Sequence, residues 1–297
     1  MRRYVLDMEG LRSGRFPYRH AASLATMLAV LKPATERHRV VAMGHLNRAC
    51  GLLFTSVCGL LLCSALHGAA WAAHPRTFEL YMAEAPPLTM AGEAGQQGIL
   101  GDAARQAMVL AGYHTTVSVL PWLRAQRTVQ QGQDMLIVPL SRTPDREASY
   151  TWIAPIMSMD RAFFSLDKRV DSFAEARRTY HRIAVGLGSA QERKLQDEGF
   201  DASQIYPLRI GENPAQMLLL GRVDAWFNGV PESQYIWRQV SERQLLMSPV
   251  LMTTDLYLAC SKSCSPHMVL GLRKAVQTLH RDGSIKKLLE RYLTAPL

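Results

Sequence analysis

The sequence lacks the short motifs that mark many catalytic sites. Its 297 residues contain no H-E-x-x-H, no G-x-x-x-x-G-K-[ST] and no G-x-S-x-G. It also lacks internal repeats and low-complexity segments, which argues against a solenoid or a disordered chain. Because catalytic triads assemble from distant segments, the missing motifs make an enzyme less expected without excluding one.

Acidic residues are scarce mainly at the front of the chain. The formal net charge is +9, yet residues 1–72 hold nine Lys and Arg against three Asp and Glu, which leaves a balance of +3 for residues 73–297. A basic working domain would suggest nucleic acid or a membrane surface as the partner. Since most of the excess lies in the first segment, we expect no nucleic-acid partner.

An apolar stretch near the front has the pattern of a secretory signal. Residues 49–66 carry no charge, Arg48 precedes them, and Ala70 and Ala72 form an A-x-A end. The stretch is also about long enough to span a bilayer, so an uncleaved membrane anchor is the alternative.

This signal sets the expected processing and location. We interpret residues 43–72 as a signal peptide that starts at Met43 and is cleaved near Ala72, and residues 1–42 as an over-extended or leader segment. The protein is then expected to be periplasmic.

Cysteine is rare beyond the signal. Of five cysteines, only Cys260 and Cys264 remain after cleavage. In an oxidising compartment this pair predicts a disulfide that closes a short loop. The alternatives are a reduced pair without function or a metal site, and the second is poorer because no His or further Cys completes a tetrahedral set.

Residues 73–297 alternate short β-like runs with helical patterns, which is typical of an α/β fold with largely parallel sheets. The first cycle predicts strands at 77–83, 114–120 and 134–140 and helices at 99–113 and 122–132. The second predicts strands at 182–187 and 223–228, helices at about 189–198, 213–222 and 231–240, and then a strand at 256–260 before two last helices. Two similar cycles predict two lobes.

Three places after predicted strands are candidates for a binding site. Arg146 follows a buried strand, at the sheet edge where parallel α/β proteins bind ligands, and its guanidinium suits a carboxylate. Ser189 begins a helix whose free N–H groups suit an anion, although serine also caps helices that bind nothing. Trp122 could line the same cleft or pack in the core, and Arg146 could equally be a surface residue.

Five stretches in order resemble one protein family, the family 3 extracellular solute-binding proteins. The likeness covers nearly all of residues 76–294. The stretches are APPL (85–88), DMLIVPLSRTPDRE (134–147), RTYHRIAVGLGSAQER (178–193), LLLGRVDAWFN (218–228) and LHRDGSIKKLLERY (279–292). LPWLRA (120–125) resembles a subgroup of the family.

The resemblance implies the type-II periplasmic-binding-protein fold, in which hinge closure traps a ligand between two α/β lobes. Lobe one would comprise residues 76–162 plus 258–297, and lobe two residues 167–254. The two crossover strands would fall near 161–167 and 256–260. The family implies a monomer without cofactor or metal that captures an amino acid or related carboxylated solute for an inner-membrane ABC permease.

The resemblance also implies a set of ligand-binding residues. In amino-acid binders of this family the arginine of an S-x-T-x-x-R pattern grips the α-carboxylate, and Ser141, Thr143 and Arg146 match that pattern. Ser141 would add a hydrogen bond. Ser189 and the start of its helix would face the same carboxylate from lobe two.

The sequence departs from the family at two positions. Gly229, after Asn228, stands where an acid usually holds the ligand ammonium, and Ala85 stands where an aromatic often covers the ligand. Either another acid such as Glu84 or Glu232 has taken over, or the solute is not a typical amino acid. Trp122 could supply the apolar cover, and Asn228 and Glu84 join the expected ligand contacts.

Two alternatives to an import receptor stay open at this point. One is a ligand-sensing periplasmic domain without an import role, which would use the same cleft. The other is an enzyme similar to cyclohexadienyl dehydratase, which shares the fold but needs a well-placed acid in the cleft. Because Gly229 offers no acid, we expect a binding protein rather than an enzyme.

Overall fold

The protein is described by a computed structural model that covers residues 76–294. The predicted signal peptide, its cleavage near Ala72 and the leader at residues 1–42 lie outside these residues. Within residues 76–294, no helix combines the length and the apolar character that a membrane span requires.

The first part of the chain forms four strands and two α-helices. They are β1 (Thr77–Met82), α1 (Gly98–Leu110), β2 (His114–Val119), α2 (Trp122–Gln131), β3 (Leu136–Ser141) and β4 (Tyr150–Ser165), with a 3-10 helix (Pro144–Ser149) before β4.

The remainder adds five strands and six α-helices. They are α3 (Phe173–Thr179), β5 (Ile183–Gly186), α4 (Ala190–Asp197), β6 (Ile205–Leu208), α5 (Pro214–Leu219), β7 (Ala225–Gly229), α6 (Val230–Val240), β8 (Leu246–Met247), β9 (Met252–Ser261), α7 (Pro266–Arg281) and α8 (Ser284–Thr294).

The strands join in the order β2-β1-β3-β9-β4-β7-β5-β6, and β8 also pairs with β4. β1 lies parallel to β2 and β3 at one end, and β5 lies parallel to β6 and β7 at the other. Between them β4 and β9 pair antiparallel from Tyr150–Ser261 to Arg161–Met252. These two long strands carry the chain from the first half to the second and back.

Each half buries its strands on both sides, as parallel sheets require. In the first half, one face packs against α1, α7 and α8 and the other against α2. In the second half, Phe163 and Phe227 pack against α3 and α4, whereas Phe164 and Trp226 pack against α5 and α6. The sheet and helices therefore form the two-lobed α/β architecture that the sequence predicts.

The predicted strands and helices of both cycles are present, with ends that move by a few residues. β4 differs most, because it begins at Tyr150 and the segment predicted at 161–167 covers only its last part. Register shifts interrupt its pairing with β9 near Ile153 and Ile156, and Pro155 lies between them. These irregularities hide the period-two pattern that indicates a strand. The lobe boundaries stay a prediction.

Candidate ligand-binding site

A cavity lies where the carboxyl ends of strands from both halves meet. It has a volume of about 60 Å³ and adjoins a larger cavity of about 270 Å³. Its polar wall combines Ser141 and Arg146 from the first half, Ser189, Gln191, Asn228 and Glu232 from the second, and Arg161 from β4. Parallel α/β sheets bind ligands in such a place.

Arg146 lies on this wall because the 3-10 helix after β3 turns the chain back toward the cavity. Only 8% of the residue is exposed. Its Nη1 donates to the Ser141 carbonyl at 3.4 Å, and its Nη2 donates to the Gly188 carbonyl at 2.8 Å. Burial lowers the pKa of Arg146, and an arginine stays cationic after such a shift.

The Gly188 carbonyl joins the two halves. Besides Arg146, it accepts from the Trp122 Nε1 at 3.2 Å and from the Gln126 Nε2 at 3.1 Å. Gly188 has a φ of +71°, and a Cβ there would lie 2.2 Å from the Leu123 Cδ2. Glycine thus allows a backbone turn and a close approach that other residues would obstruct.

Helix α4 presents its amino end to the cavity. The Ser189 Oγ accepts from the Glu192 N–H at 3.2 Å, which is an N-cap bond, and the Glu192 Oε2 accepts from the N–H of Gly188, the residue before the N-cap, at 2.6 Å. Ala190 and Gln191 follow on the cavity wall. First-turn N–H groups have no intrahelical acceptor and attract anions.

Arg161 is a buried cation that the sequence analysis did not select. It is 2% exposed in β4. Its guanidinium donates to the Met159 carbonyl at 3.1 Å, the Thr254 Oγ1 at 2.8 Å and the Ser141 Oγ at 2.8 Å. Burial lowers its pKa to about 10, so Arg161 is cationic at neutral pH. An arginine beside the apolar run that ends β4 was the available signal, because buried charges need partners.

Glu232 brings an acid to the place where the family acid is missing. A Cβ on Gly229 would lie 2.6 Å from the Glu232 Oε2, so this carboxyl occupies the space in front of Gly229. It lines both cavities and, among the described residues, accepts no hydrogen bond. Burial raises its pKa to about 7, and the attraction of Arg161 opposes that rise.

Some of the other predicted residues line the two cavities and some do not. Trp122 is buried on the cavity wall, and Asn228 lines both cavities with its Oδ1 accepting from the Gln191 Nε2 at 3.1 Å. Thr143 lines neither of these cavities, and its buried Oγ1 has no partner among the described residues. Glu84 also lines neither, because its carboxylate turns to the Ala91 N–H at 2.6 Å.

The two cysteines lie away from this wall. The structure joins Cys260 and Cys264 in a disulfide with their Cα atoms 6.2 Å apart. Asp134 places a carboxylate near both sulfurs. The bond occupies the sulfur atoms that a metal would need, which agrees with the weaker standing of a metal site in the sequence analysis.

A cleft between two α/β halves, joined by two crossover strands, defines a type-II periplasmic binding fold. The chain belongs to the bacterial extracellular solute-binding proteins, family 3, whose sequence model matches residues 80–295. No curated protein matches the chain. Membership of this family defines the role of the chain as solute binding.

Solved structures share the fold at low sequence identity. A mutant of ArgBP from T. maritima is 15% identical, with 74% of this chain and 96% of that chain covered and a TM-score of 0.64. AncCDT-1, an ancestral amino acid-binding protein and a precursor of cyclohexadienyl dehydratase, is 18% identical, with 73% and 95% covered and a TM-score of 0.63. EhuB in complex with hydroxyectoine is 20% identical, with 73% and 88% covered and a TM-score of 0.64.

Proposed function

We propose that this protein captures a small carboxylated solute, an amino acid or a related compound, for an ABC importer. The observation that carries the proposal is the pair of buried guanidiniums, Arg146 and Arg161, on the wall of one cavity. Ser141 accepts a hydrogen bond from each of them: its carbonyl accepts from Arg146 and its hydroxyl accepts from Arg161.

A carboxylate would complete the charge balance of this cavity. The two arginines face one acid, Glu232, whose pKa of about 7 leaves it only partly ionised at neutral pH. Buried charges without a partner are costly, so the cavity favours an anion. The first N–H groups of α4 point their positive end at the same place. The carboxylate would therefore contact Arg146, Ser189 and the start of α4.

Glu232 would receive the ammonium or another donor of the solute. It fills the space in front of Gly229 from three residues further along the chain, in the first turn of α6. A carboxylate that accepts no other hydrogen bond is available for a ligand donor. The acid that the sequence pattern lacks at position 229 would thus be supplied from position 232.

The partner and the location are parts of this proposal. Family 3 proteins are extracellular, and the sequence pattern at residues 43–72 favours export through a cleavable signal. The protein would then work as a periplasmic monomer that delivers its solute to an inner-membrane permease. Uptake of the labelled solute should fall when the gene is deleted and return when it is restored; unchanged uptake would leave a sensing role instead.

The binding test is thermal unfolding of the purified protein against amino acids, polyamines, dicarboxylates and small peptides. A solute that binds only the folded state must raise the unfolding midpoint. We expect a carboxylated solute to do so, and Arg146→Ala to weaken it by about 30-fold or more, as for a truncated buried charge pair. Arg146→Lys is the matched control, because it keeps the charge but loses the bidentate fork.

Each possible result of this unfolding experiment leads to a different conclusion about the ligand. A midpoint shift that disappears in Arg146→Ala and is only partly restored in Arg146→Lys supports carboxylate capture. Retained affinity in Arg146→Ala would show that the carboxylate lies elsewhere, and a shift only with polyamines would refute an anionic ligand.

Glu232 also favours a second candidate function. An acid with a pKa of about 7 in the cleft is a suitable proton donor or acceptor near neutral pH, and AncCDT-1 is described as a precursor of cyclohexadienyl dehydratase. The candidate reaction is loss of water together with carbon dioxide from a carboxylated hydroxycyclohexadienyl ring: Glu232 protonates the departing hydroxyl, and the bond between the ring and its carboxylate breaks to supply the electron pair that makes the ring aromatic. Incubation with such a ring should then yield aromatic absorbance that Glu232→Gln abolishes; no change in absorbance would refute it.

A further inference from the structure

The larger cavity beside the arginines is lined mostly by residues of the second half. Its volume is about 270 Å³, against about 60 Å³ for the cavity lined by Arg146 and Arg161, which we call the inner cavity. Its apolar wall comes from the strands β5, β6 and β7, the turn after β6 and helix α6, and consists of Val185, Leu208, Ile210, Trp226 and Ile236. We call this space the outer chamber.

Helix α6 turns one complete face toward the outer chamber. Glu232, Tyr235, Ile236 and Gln239 all line it, and their spacing of three, four and seven residues is one side of a helix. Trp226 is only 3% exposed, so its ring forms a buried wall. This face of α6 mixes polar and apolar side chains, so it can contact both kinds of group on a ligand.

The two cavities are adjacent compartments of one site. Ala85, Ile210, Asn228 and Glu232 line both. A ligand that occupies both compartments would therefore lie next to Glu232 and Asn228. The inner cavity has less than a quarter of the volume of the outer chamber, so the larger part of a solute has more room in the outer chamber.

Among the described residues on the wall of the outer chamber, Glu232 is the one charged residue that is not exposed. The other charged residues on this wall are Arg209 and Glu212, both exposed. The Glu212 carboxylate accepts from the Arg209 backbone N–H at 3.0 Å, which holds it at the rim. Polar contacts inside come from uncharged groups such as Asn228 and Tyr235. A buried charge without a partner is costly, so the chamber favours an uncharged group.

We infer that the solute is an elongated carboxylate whose uncharged, largely apolar part lies in the outer chamber. This inference rests on the proposed function and names its substrate class. The carboxylate contacts the inner arginines, a donor next to it contacts Glu232, and the apolar part packs between Trp226 and Ile236. A large uncharged amino acid has this form, whereas glycine, glutamate and arginine do not.

The test is calorimetric titration of the purified protein with glycine, L-alanine, L-leucine, L-phenylalanine, L-glutamate and L-arginine. Burial of a large apolar side chain should make leucine or phenylalanine bind at least about tenfold more tightly than alanine. The charged pair should bind no better than alanine.

Two variants locate the apolar part of the ligand. Ile236→Trp narrows the outer chamber from its wall, and Gln239→Trp narrows it from an exposed position that tolerates change. Either should reduce the preference for leucine or phenylalanine over alanine at least about fivefold. Gln234→Trp is the matched control, because it is exposed on the same helix and lines neither compartment.

The outcomes distinguish the inference from the function it rests on. If carboxylated solutes bind but without a preference for the large uncharged ones, or if Gln239→Trp leaves that preference intact, the inference is wrong and the proposed function stands. If no carboxylated solute binds, the proposed function itself fails. A loss of the preference that Gln234→Trp does not reproduce supports the inference.

Discussion

The acid in the inner cavity comes from Glu232, three residues after the position where the family resemblance predicts one. The resemblance to the family predicts an acid at the position of Gly229. Because Gly229 has no side chain, the Glu232 carboxyl occupies the space in front of it, 2.6 Å from where a Cβ would stand. Any larger residue at 229 would compete with that carboxyl. The glycine and the glutamate thus act as a pair.

Glu232 should make the protein less stable as the pH rises from about 4.5 to about 7. Its pKa is raised to about 7 in the folded protein, against an ordinary value of 4.5. Between these values the folded protein holds a proton that the unfolded chain has lost, so the free energy of unfolding falls with rising pH. Urea denaturation at pH 5, 6, 7 and 8 should show this fall, and Glu232→Gln should remove most of it.

A control separates this carboxyl from the rest of the protein. Glu242 is exposed, so Glu242→Gln should leave the pH dependence of the unfolding free energy unchanged. An equal slope in the Glu232→Gln variant and the original protein would show that this carboxyl is solvated like any other.

At the scale of elements, the short loop between β9 and α7 is fixed by a disulfide and by hydrogen bonds to Asp134. Cys260 is buried next to the end of β9, and Cys264 lies just before α7. Asp134 anchors the same loop, because its N–H donates to the Ser263 carbonyl at 3.1 Å and its Oδ1 accepts from the Ser265 N–H at 2.5 Å. The loop connects β9 to α7, which packs on the core of the first half.

The disulfide should be present in the exported protein and contribute modestly to stability. Closing a loop of five residues restricts the unfolded chain by about 2 kcal/mol in the chain-entropy description. Mass spectrometry without reductant should find the peptides of Cys260 and Cys264 joined, and reductant should lower the unfolding midpoint. Free thiols at both positions in periplasmic protein would overturn the prediction; Cys260→Ser with Cys264→Ser serves as the reductant-insensitive control.

Elements with strong local signals could be predicted from the sequence, whereas the contacts across the cleft could not. Helix α2 ends before Gly132 and α4 begins after Ser189, as capping residues indicate. Arg161 gives no comparable signal, because its role depends on Ser141 and Thr254, which lie far away in the chain. Glu84 lines neither cavity for a local reason, since its carboxylate accepts from the Ala91 N–H.

At the scale of the whole molecule, contacts of two kinds join the halves. β4 and β9 are covalent crossovers, and such strands act as hinges in two-lobed proteins. One noncovalent contact joins α6 to α8, where the Arg238 Nη2 donates to the Leu293 carbonyl at 3.2 Å. The Gly188 carbonyl is a second noncovalent contact, at the cleft, since it accepts hydrogen bonds from Trp122, Gln126 and Arg146 of the other half. Arg146 therefore has two roles in the proposal, one toward the solute and one toward closure.

Gln126→Ala should open the molecule without altering the solute contacts. Gln126 lines neither compartment of the site, yet it supplies one of the donors to Gly188, and a hydrogen bond contributes about 0.5–1.5 kcal/mol. Small-angle X-ray scattering should give a larger radius of gyration, and solute affinity should fall about two- to tenfold as the closed population falls. Gln131→Ala, an exposed change on the same helix, should match the original protein. If Arg146→Ala weakened binding no more than Gln126→Ala does, Arg146 would act through closure alone; a much larger loss would confirm that it also contacts the solute.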